Sequence, residues 1–384
     1  MGPLKGIKVL DLSMVVAGPF CTMILGDLGA DIIKIEPPEG DVVRIVPGPQ
    51  RNGVPVGILN WNRSKRGMVL DLKQPGAAEV FLRMAEQADV VIQNVRPGVV
   101  DRLGVGYEAV SERNPKIVYC SIAGYGFEGP YRDKPAYDPI IQGVAGVMIT
   151  QRTQGRPRAV KNILADKVTA MTAAIGILAA LQEARTGTGQ HIEIAMIDAV
   201  AYYLMGDTGV RHTLLPHQPG LPPTMGSAEP FKTADGYMTI APLTDKHWRA
   251  LLEAVGHPEW FEGDEPRNER VRNAARKLIE LFPSQPSDYW LERIEKADVP
   301  CGRVNDFDTI WEDPQYVVNE TFYEYEHPVA GRVRAVRPGT RLSGKKPELW
   351  RHAPGLGEHT DEILADFGFD RQEIADLHSR AIVK

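Results

Sequence analysis

Cysteine is scarce in this chain of 384 residues: Cys21, Cys120 and Cys301 are odd in number, widely spaced and without a CxxC pair. They support neither a disulfide framework nor a zinc site, and read as buried or free thiols. The nine histidines show no HExxH or comparable spacing, which leaves a metal-dependent mechanism without support. The first strand-to-helix turn lacks the GxGxxG glycines of a dinucleotide fold, so neither a nicotinamide nor a flavin is expected. No basic block is present and the formal net charge is −6, which argues against a nucleic-acid partner. The opening residues Met1-Gly2-Pro3-Leu4-Lys5-Gly6 lack the apolar core of a signal peptide, and no run of about eighteen apolar residues stands out as a bilayer span. A cytoplasmic protein without a membrane partner is expected.

Core material is plentiful. With 43% hydrophobic and 24% charged residues, the chain can fill two domains, or one large domain with an excursion. Apolar runs near residues 7–12, 31–36, 67–72, 89–94, 117–122 and 191–194 read as strands, and helical patterns separate them. That alternation predicts an α/β fold with a large Rossmann-like doubly wound domain. Prolines and glycines crowd residues 212–230, and a smaller α+β pattern follows. The expected division is a large domain over 1–215, a linker over 216–230, a small α+β domain over 231–328, and a segment over 329–384 that returns to the large domain. No internal repeat is present.

The chain is organised around Asn162-Ile163-Leu164-Ala165-Asp166-Lys167 and the apolar stretch from Val168 to Ala184, which reads as a helix buried on most of its circumference. Asp166 stands at the helix entrance, and position leaves two readings open. It is an N-cap, satisfying unpaired backbone N–H groups, or it is a carboxylate nucleophile set among apolar neighbours and aimed into a cleft.

Other features each carry a functional and a plainer reading. Arg63, Lys65 and Arg66, with Arg96 and Arg102, suit a polyphosphate ligand such as the nucleotide part of coenzyme A, or form a solvated surface. The loops Gly124–Gly129 and Met225-Gly226-Ser227 close over a reacting group or are simple turns. Arg44, Arg156 and Arg158 bind a distal carboxylate or are exposed loop charges.

Taken together the motifs resemble family III coenzyme A transferases over essentially the whole chain. The resemblance is carried by Ala17-Gly18-Pro19, Asp27-Leu28-Gly29-Ala30, Lys34-Ile35-Glu36, Asn62-Arg63-Ser64-Lys65-Arg66 and Leu70-Asp71-Leu72-Lys73. It continues through Asp101-Arg102-Leu103-Gly104, Thr186-Gly187-Thr188-Gly189-Gln190, Phe231-Lys232-Thr233-Ala234-Asp235-Gly236, Val299-Pro300-Cys301-Gly302-Arg303-Val304-Asn305 and Gly357-Glu358-His359-Thr360.

The resemblance implies that Asp166 is the aspartate nucleophile, which attacks an acyl-CoA and then carries coenzyme A as an aspartyl thioester until a free carboxylic acid takes it. It places Val15, Val16, Asn94 and Arg102, with Leu70, Lys73 and Arg96, at the coenzyme A site, and Tyr137 and Gly226 at the substrate pocket. The position matched by Val16 is a glutamine in several transferases, and the loop around Gly226 is shorter than theirs. The family also contains 2-methylacyl-CoA racemases, which pair the aspartate with a histidine. Here the matching residues are Ala136-Tyr137-Asp138, which favours transfer over epimerisation; a coenzyme A-binding protein without turnover is the third alternative. The resemblance further implies an interlocked homodimer in which each chain forms a ring.

Overall fold

Strand follows helix follows strand through the first half of the chain, and the six apolar runs assemble into one parallel sheet. In the computed structural model, which describes residues 2–216, 229–344 and 349–384, they are β1 (Lys8–Asp11), β2 (Asp31–Glu36), β3 (Lys65–Val69), β4 (Val90–Gln93), β5 (Val118–Ala123) and β6 (Gln190–Ala195). The spatial order is β3-β2-β1-β4-β5-β6, with every pairing parallel. The order reverses between β1 and β4. Loops leaving the carboxyl ends of these two strands part in opposite directions and open a crevice, where doubly wound sheets bind ligands.

The helices that cover the sheet and shape the crevice are α1 (Ala17–Asp27), α2 (Ala77–Ala85), α3 (Asp138–Val144), α4 (Leu164–Ala184) and α5 (Met196–Thr208). Successive strand residues point to opposite faces. Val9, Ile32, Val90, Ile92, Val118 and Cys120 share one core with α1 and α4, while Leu10, Ile33, Val91 and Tyr119 share the other with α2. Cys21 and Cys120 lie buried in the first of these cores.

Helix α4 departs from expectation in two ways. Its 21 residues are long and apolar enough, by length and composition alone, to cross a membrane, so a stretch of that kind is present after all. It is a core helix: Ala165, Thr169, Ala170, Ala173, Ala174, Ile177, Ala180 and Leu181 are buried, at the three- and four-residue spacing of a single face. The other departure is that this face is narrower than expected. Met171 and Ile175, one turn apart on the other side, are exposed, Ile175 at 69%.

The second core is completed by the end of the chain. Helices Thr360–Asp366 and Arg371–Ser379 contribute Ile363, Leu364, Ile374 and Leu377 to it, and Phe367, just after the first helix, joins them. Leu70 pairs with Val383, Asp71 N–H donates to the Ile382 carbonyl at 2.8 Å, and His359 N–H donates to the Gly67 carbonyl at 2.9 Å. The outer edge of β3 is thereby covered, which protects it from pairing with other chains.

The chain divides into two compact units, Met1–Gly209 with Glu320–Lys384, and Val210–Asn319. Boundaries were expected at 215 and 328. The hairpin of Phe322–His327 with Gly331–Val336 lies with the large unit, where Ala330 joins a small core with Ile58, Leu59 and Ala353. Most of the expected linker, residues 217–228 with Gly226 among them, falls outside the described residues. The smaller unit has a three-stranded antiparallel sheet of Phe231–Lys232, Tyr237–Ile240 and Cys301–Arg303. Trp248, Leu251, Phe261, Leu278, Phe282 and Trp290 fill its core.

Candidate active site

At the carboxyl end of β1 the chain carries a concentration of buried charge. Asp11 accepts hydrogen bonds from Thr22 Oγ1 at 2.5 Å and Lys65 Nζ at 3.1 Å, and Lys34 Nζ meets Asp41 Oδ2 at 2.9 Å. All four charged groups are fully buried. Burial opposes ionisation at each, yet the opposite charges of Lys65 and Lys34 hold Asp11 below the usual carboxylate range, and Lys34 likewise holds Asp41 down. Burial opposes the charge on Lys34 too, but Asp41, Glu36 and Asp11 raise its pKa. Burial pulls Lys65 down to about 8 against the opposing charge of Asp11, which leaves it largely protonated at neutral pH, and together the two pairs fix the loop that follows β1.

That loop forms one wall of a cleft of about 380 Å³ at the switch point, lined among others by Met14, Val15, Asn94, Arg96, Arg132, Lys134, Tyr137, Asp166 and Met196. Met14 and Val15 follow β1, Asn94 and Arg96 follow β4, and Met196 follows β6. Size and position suit a small-molecule site.

Asp166 is the third residue of α4, and its side chain makes no cap: the residue before the helix is Ile163, which carries no side-chain capping bond. Asp138 does that work instead. Its Oδ2 accepts the Asp166 N–H at 3.1 Å, and its Oδ1 accepts Gln142 Nε2 at 2.6 Å. Gln142 in turn accepts the Val160 N–H at 2.9 Å and donates to the Asn162 carbonyl at 3.1 Å, so one Asp–Gln pair on α3 sets the approach to α4. The Asp166 carboxyl is left free to face the cleft. Burial, with the neighbouring Asp138 charge added, pushes its pKa up to about 7. A helix amino end favours a carboxylate by only about 0.3–1 kcal/mol, so desolvation prevails. The outcome is a carboxylate of unusual basicity, ionised over part of the neutral range.

Of the residues proposed from sequence, Val15, Asn94, Arg96, Tyr137 and Asp166 meet around the cleft. Val16 is buried beneath it at the start of α1. Leu70 lies in the opposite core, Lys73 is exposed beyond β3, and Arg102 is exposed on the short helix Val99–Arg102. Gly226 lies outside the described residues. Arg132, Lys134, Asp138, Met14 and Met196 were missed. Their signal is positional, because each sits in or just after a segment leaving a strand's carboxyl end.

Within the basic cluster Arg63, Lys65 and Arg66 take a different role from either one expected, whereas Arg96 and Arg102 are exposed. Lys65 and Arg66 belong to β3 itself, and these three cations are held inside the protein. Arg63 donates to Asp27 at 3.1 and 2.6 Å, Lys65 to Asp11, and Arg66 to Asp31 at 3.1 and 2.5 Å and to Glu362 and Asp366. Arg44 is likewise paired with Glu36 at 2.7 and 2.8 Å. Arg156 and Arg158 are exposed. Among the described residues, no group of three or more His, Cys, Asp or Glu side chains is arranged to hold a metal ion.

Fold and site define an α/β protein with an uncapped carboxyl, that of Asp166, in a switch-point cleft. A model of CoA-transferase family III matches residues 4–360. The chain is 32% identical over 398 residues to succinyl-CoA:glutarate CoA-transferase of Homo sapiens, covering 99% of this chain and 90% of that protein. It is 33% identical over 393 residues to succinyl-CoA:mesaconate CoA-transferase of Haloarcula marismortui, covering 96% and 98% respectively. A crystal structure of a CAIB/BAIF family protein from Brucella suis superposes with a TM-score of 0.82 at 30% identity, over 95% of this chain and 99% of that one. The chain belongs to CoA-transferase family III and is, on that membership, an enzyme of the acyl-CoA:carboxylate CoA-transferase class.

Proposed function

We propose that the enzyme moves coenzyme A from an acyl-CoA to a free carboxylic acid by covalent catalysis at Asp166. The observation that carries this reading is the Asp166 carboxyl itself, uncapped, lining the cleft and raised toward neutrality. An Asp166 oxygen attacks the thioester carbonyl carbon and the coenzyme A thiolate leaves, giving an acyl-aspartyl anhydride. The thiolate then attacks the Asp166 carbonyl, the donor acid leaves as its carboxylate, and an aspartyl thioester remains. The acceptor carboxylate repeats the two steps in reverse and departs as the new acyl-CoA, restoring Asp166. No proton is consumed, and each step replaces one activated acyl bond by another.

Val15, Asn94 and Arg96 serve the thioester end of coenzyme A, and Tyr137 the acyl group, with Gly226 proposed for the same pocket. Coenzyme A is far longer than this cleft, and its nucleotide end is proposed to meet the exposed Lys73 and Arg102, with the buried Leu70 and Val16 supporting the loops rather than touching it. The relatives named above act between succinyl-CoA and glutarate or mesaconate, so short dicarboxylic acids are the first acceptors to try.

The family's other chemistry, proton exchange beside the carbonyl, needs a second acid/base, and among the described residues no histidine lines the cleft. We place the enzyme in the cytoplasm as a homodimer, interlocked as the resemblance implies. Support comes from the exposed apolar residues Ile140 and Val144 on α3, Met171 and Ile175 on α4, and Tyr202 and Tyr203 on α5, a surface of the kind that marks an interface.

The test is mass spectrometry of thioesters formed from pooled acyl-CoAs and free acids in deuterium oxide. A new thioester that disappears in Asp166→Ala, together with a coenzyme A adduct on the Asp166 peptide, is the expected result. Deuterium gained beside the carbonyl without a new thioester overturns it in favour of epimerisation.

A further inference from the structure

Residues 13–15, between β1 and α1, are held by side chains at nearly every polar backbone atom. Ser13 N–H donates to Asp11 Oδ1 at 3.0 Å, and the Ser13 carbonyl accepts Lys34 Nζ at 3.0 Å. The Met14 N–H donates to Asn94 Oδ1 at 2.8 Å, while the Met14 carbonyl accepts Asn94 Nδ2 at 2.7 Å. Val15 N–H donates to both oxygens of Asp41, at 3.1 and 3.2 Å. Sheet, turn and water ordinarily satisfy such groups. Here four side chains from β1, β2 and the loops after β2 and β4 do so.

The reason lies in the backbone of Val15. Its φ is +71°, the left-handed region that a β-branched side chain enters only under constraint. Asp41 supplies that constraint and is itself clamped by buried Lys34 at 2.9 Å, with its own N–H on Glu36 Oε1 at 2.8 Å. A buried ion pair is a poor device for stability, because desolvation offsets most of its attraction and apolar residues of the same volume serve at least as well. Such a pair is better suited to fixing one geometry. The geometry fixed is that of Met14 and Val15, which line the same cleft as Asp166.

We propose that Asp41, clamped by Lys34, is a positioning residue of the transfer reaction: it holds Val15 in its left-handed conformation so that residues 13–15 present a preset wall to the bound thioester. The inference rests on the transfer reading above and adds to it a residue that does not touch the substrate. Its effect is on orientation, where an error of about 1 Å costs about 100-fold in rate.

The test compares wild type with Asp41→Asn, and Val15→Gly alone with the double variant Asp41→Asn, Val15→Gly, so that loss of the Val15 side chain from the cleft is common to the second pair. Asparagine keeps the shape of the side chain but turns an N–H toward Lys34 or Val15. Glycine adopts the left-handed backbone without steric cost and no longer needs the clamp. Per folded site, Asp41→Asn is expected to lose about 100-fold in kcat, with KM for acyl-CoA nearly unchanged. Deuterium exchange is expected to quicken at residues 12–16 and not in the rest of the chain. In the Val15→Gly background the loss caused by Asp41→Asn is expected to be at least about tenfold smaller.

An unchanged kcat in Asp41→Asn, or a loss of the same size in the Val15→Gly background, overturns the proposal. Should Asp41→Asn fail to fold, the double variant decides against Val15→Gly alone: soluble protein of matching activity supports the clamp, and insoluble or far less active protein overturns it. Wild type run in parallel separates the two levels. Absence of any new thioester there refutes transfer, while exchange at residues 12–16 still tests the clamp.

Discussion

As the proposed nucleophile, Asp166 joins two properties that pull against each other. A nucleophilic carboxylate must be ionised, and its surroundings resist ionisation. The rate constant kcat/KM with a saturating acid acceptor is therefore expected to rise with pH and level off above a midpoint near 7, as read from a pH–rate profile. The folded state binds this proton more tightly than the unfolded chain does, so the contribution to stability declines as pH rises from the ordinary carboxylate value toward 7. Asp166→Asn removes the burden, and its unfolding midpoint is expected to exceed that of wild type by several degrees at pH 8, at roughly 2–4 °C per kcal/mol, and not at pH 4. Calorimetry at the two pH values checks this, and activity is lost in both.

Much at this scale was readable in the chain and some was not. Asp166 ahead of an apolar run marked the helix and singled out the carboxylate here proposed as nucleophile. Whether it capped that helix depended on Asp138, placed 28 residues earlier and brought in by tertiary folding. Arg63, Lys65 and Arg66 look alike in sequence whether they face phosphate or Asp27, Asp11 and Asp31, because their partners come from other elements. The left-handed backbone of Val15 had no local signal, since valine is among the last residues chosen for it.

At the scale of elements, α3 and α4 work as a pair. Asp138 is both the acceptor at the head of α4 and a charge that helps raise Asp166. Asp138→Asn keeps an acceptor oxygen and removes the charge, so the midpoint of the pH–rate profile is expected to move down from about 7. Further along α4, Gly176 has room for a methyl group: a Cβ there would stand 3.4 Å from Ile192 Cγ2, an ordinary contact. Gly176→Ala is expected to stabilise the protein by about 0.5–1 kcal/mol, the difference in helix preference, measured by denaturant unfolding. The sheet was legible because six apolar strands, five of them buried over most of their length, are spaced by helices. The strand order was not, because sequence periodicity does not say which neighbour each strand pairs with.

For the whole molecule, the apolar residues left exposed on α3, α4 and α5 bear on assembly. Ile175→Glu puts a charge on that surface without touching the core. It is expected to yield a folded chain whose mass by light scattering is that of one subunit, with loss of transfer if the site needs its partner. The masses of wild type and variant decide it.

The return of residues 360–384 to β3 and α2 has a consequence for how the chain is made. All six strands have been synthesised by residue 195, yet one face of the sheet, covered only in part by α2, is not closed until Ile363, Phe367 and Leu377 arrive. A ribosome working at about 5–20 residues per second exposes that face for some ten seconds or more, while the small unit is still being translated. The first domain encoded is thus the last to close.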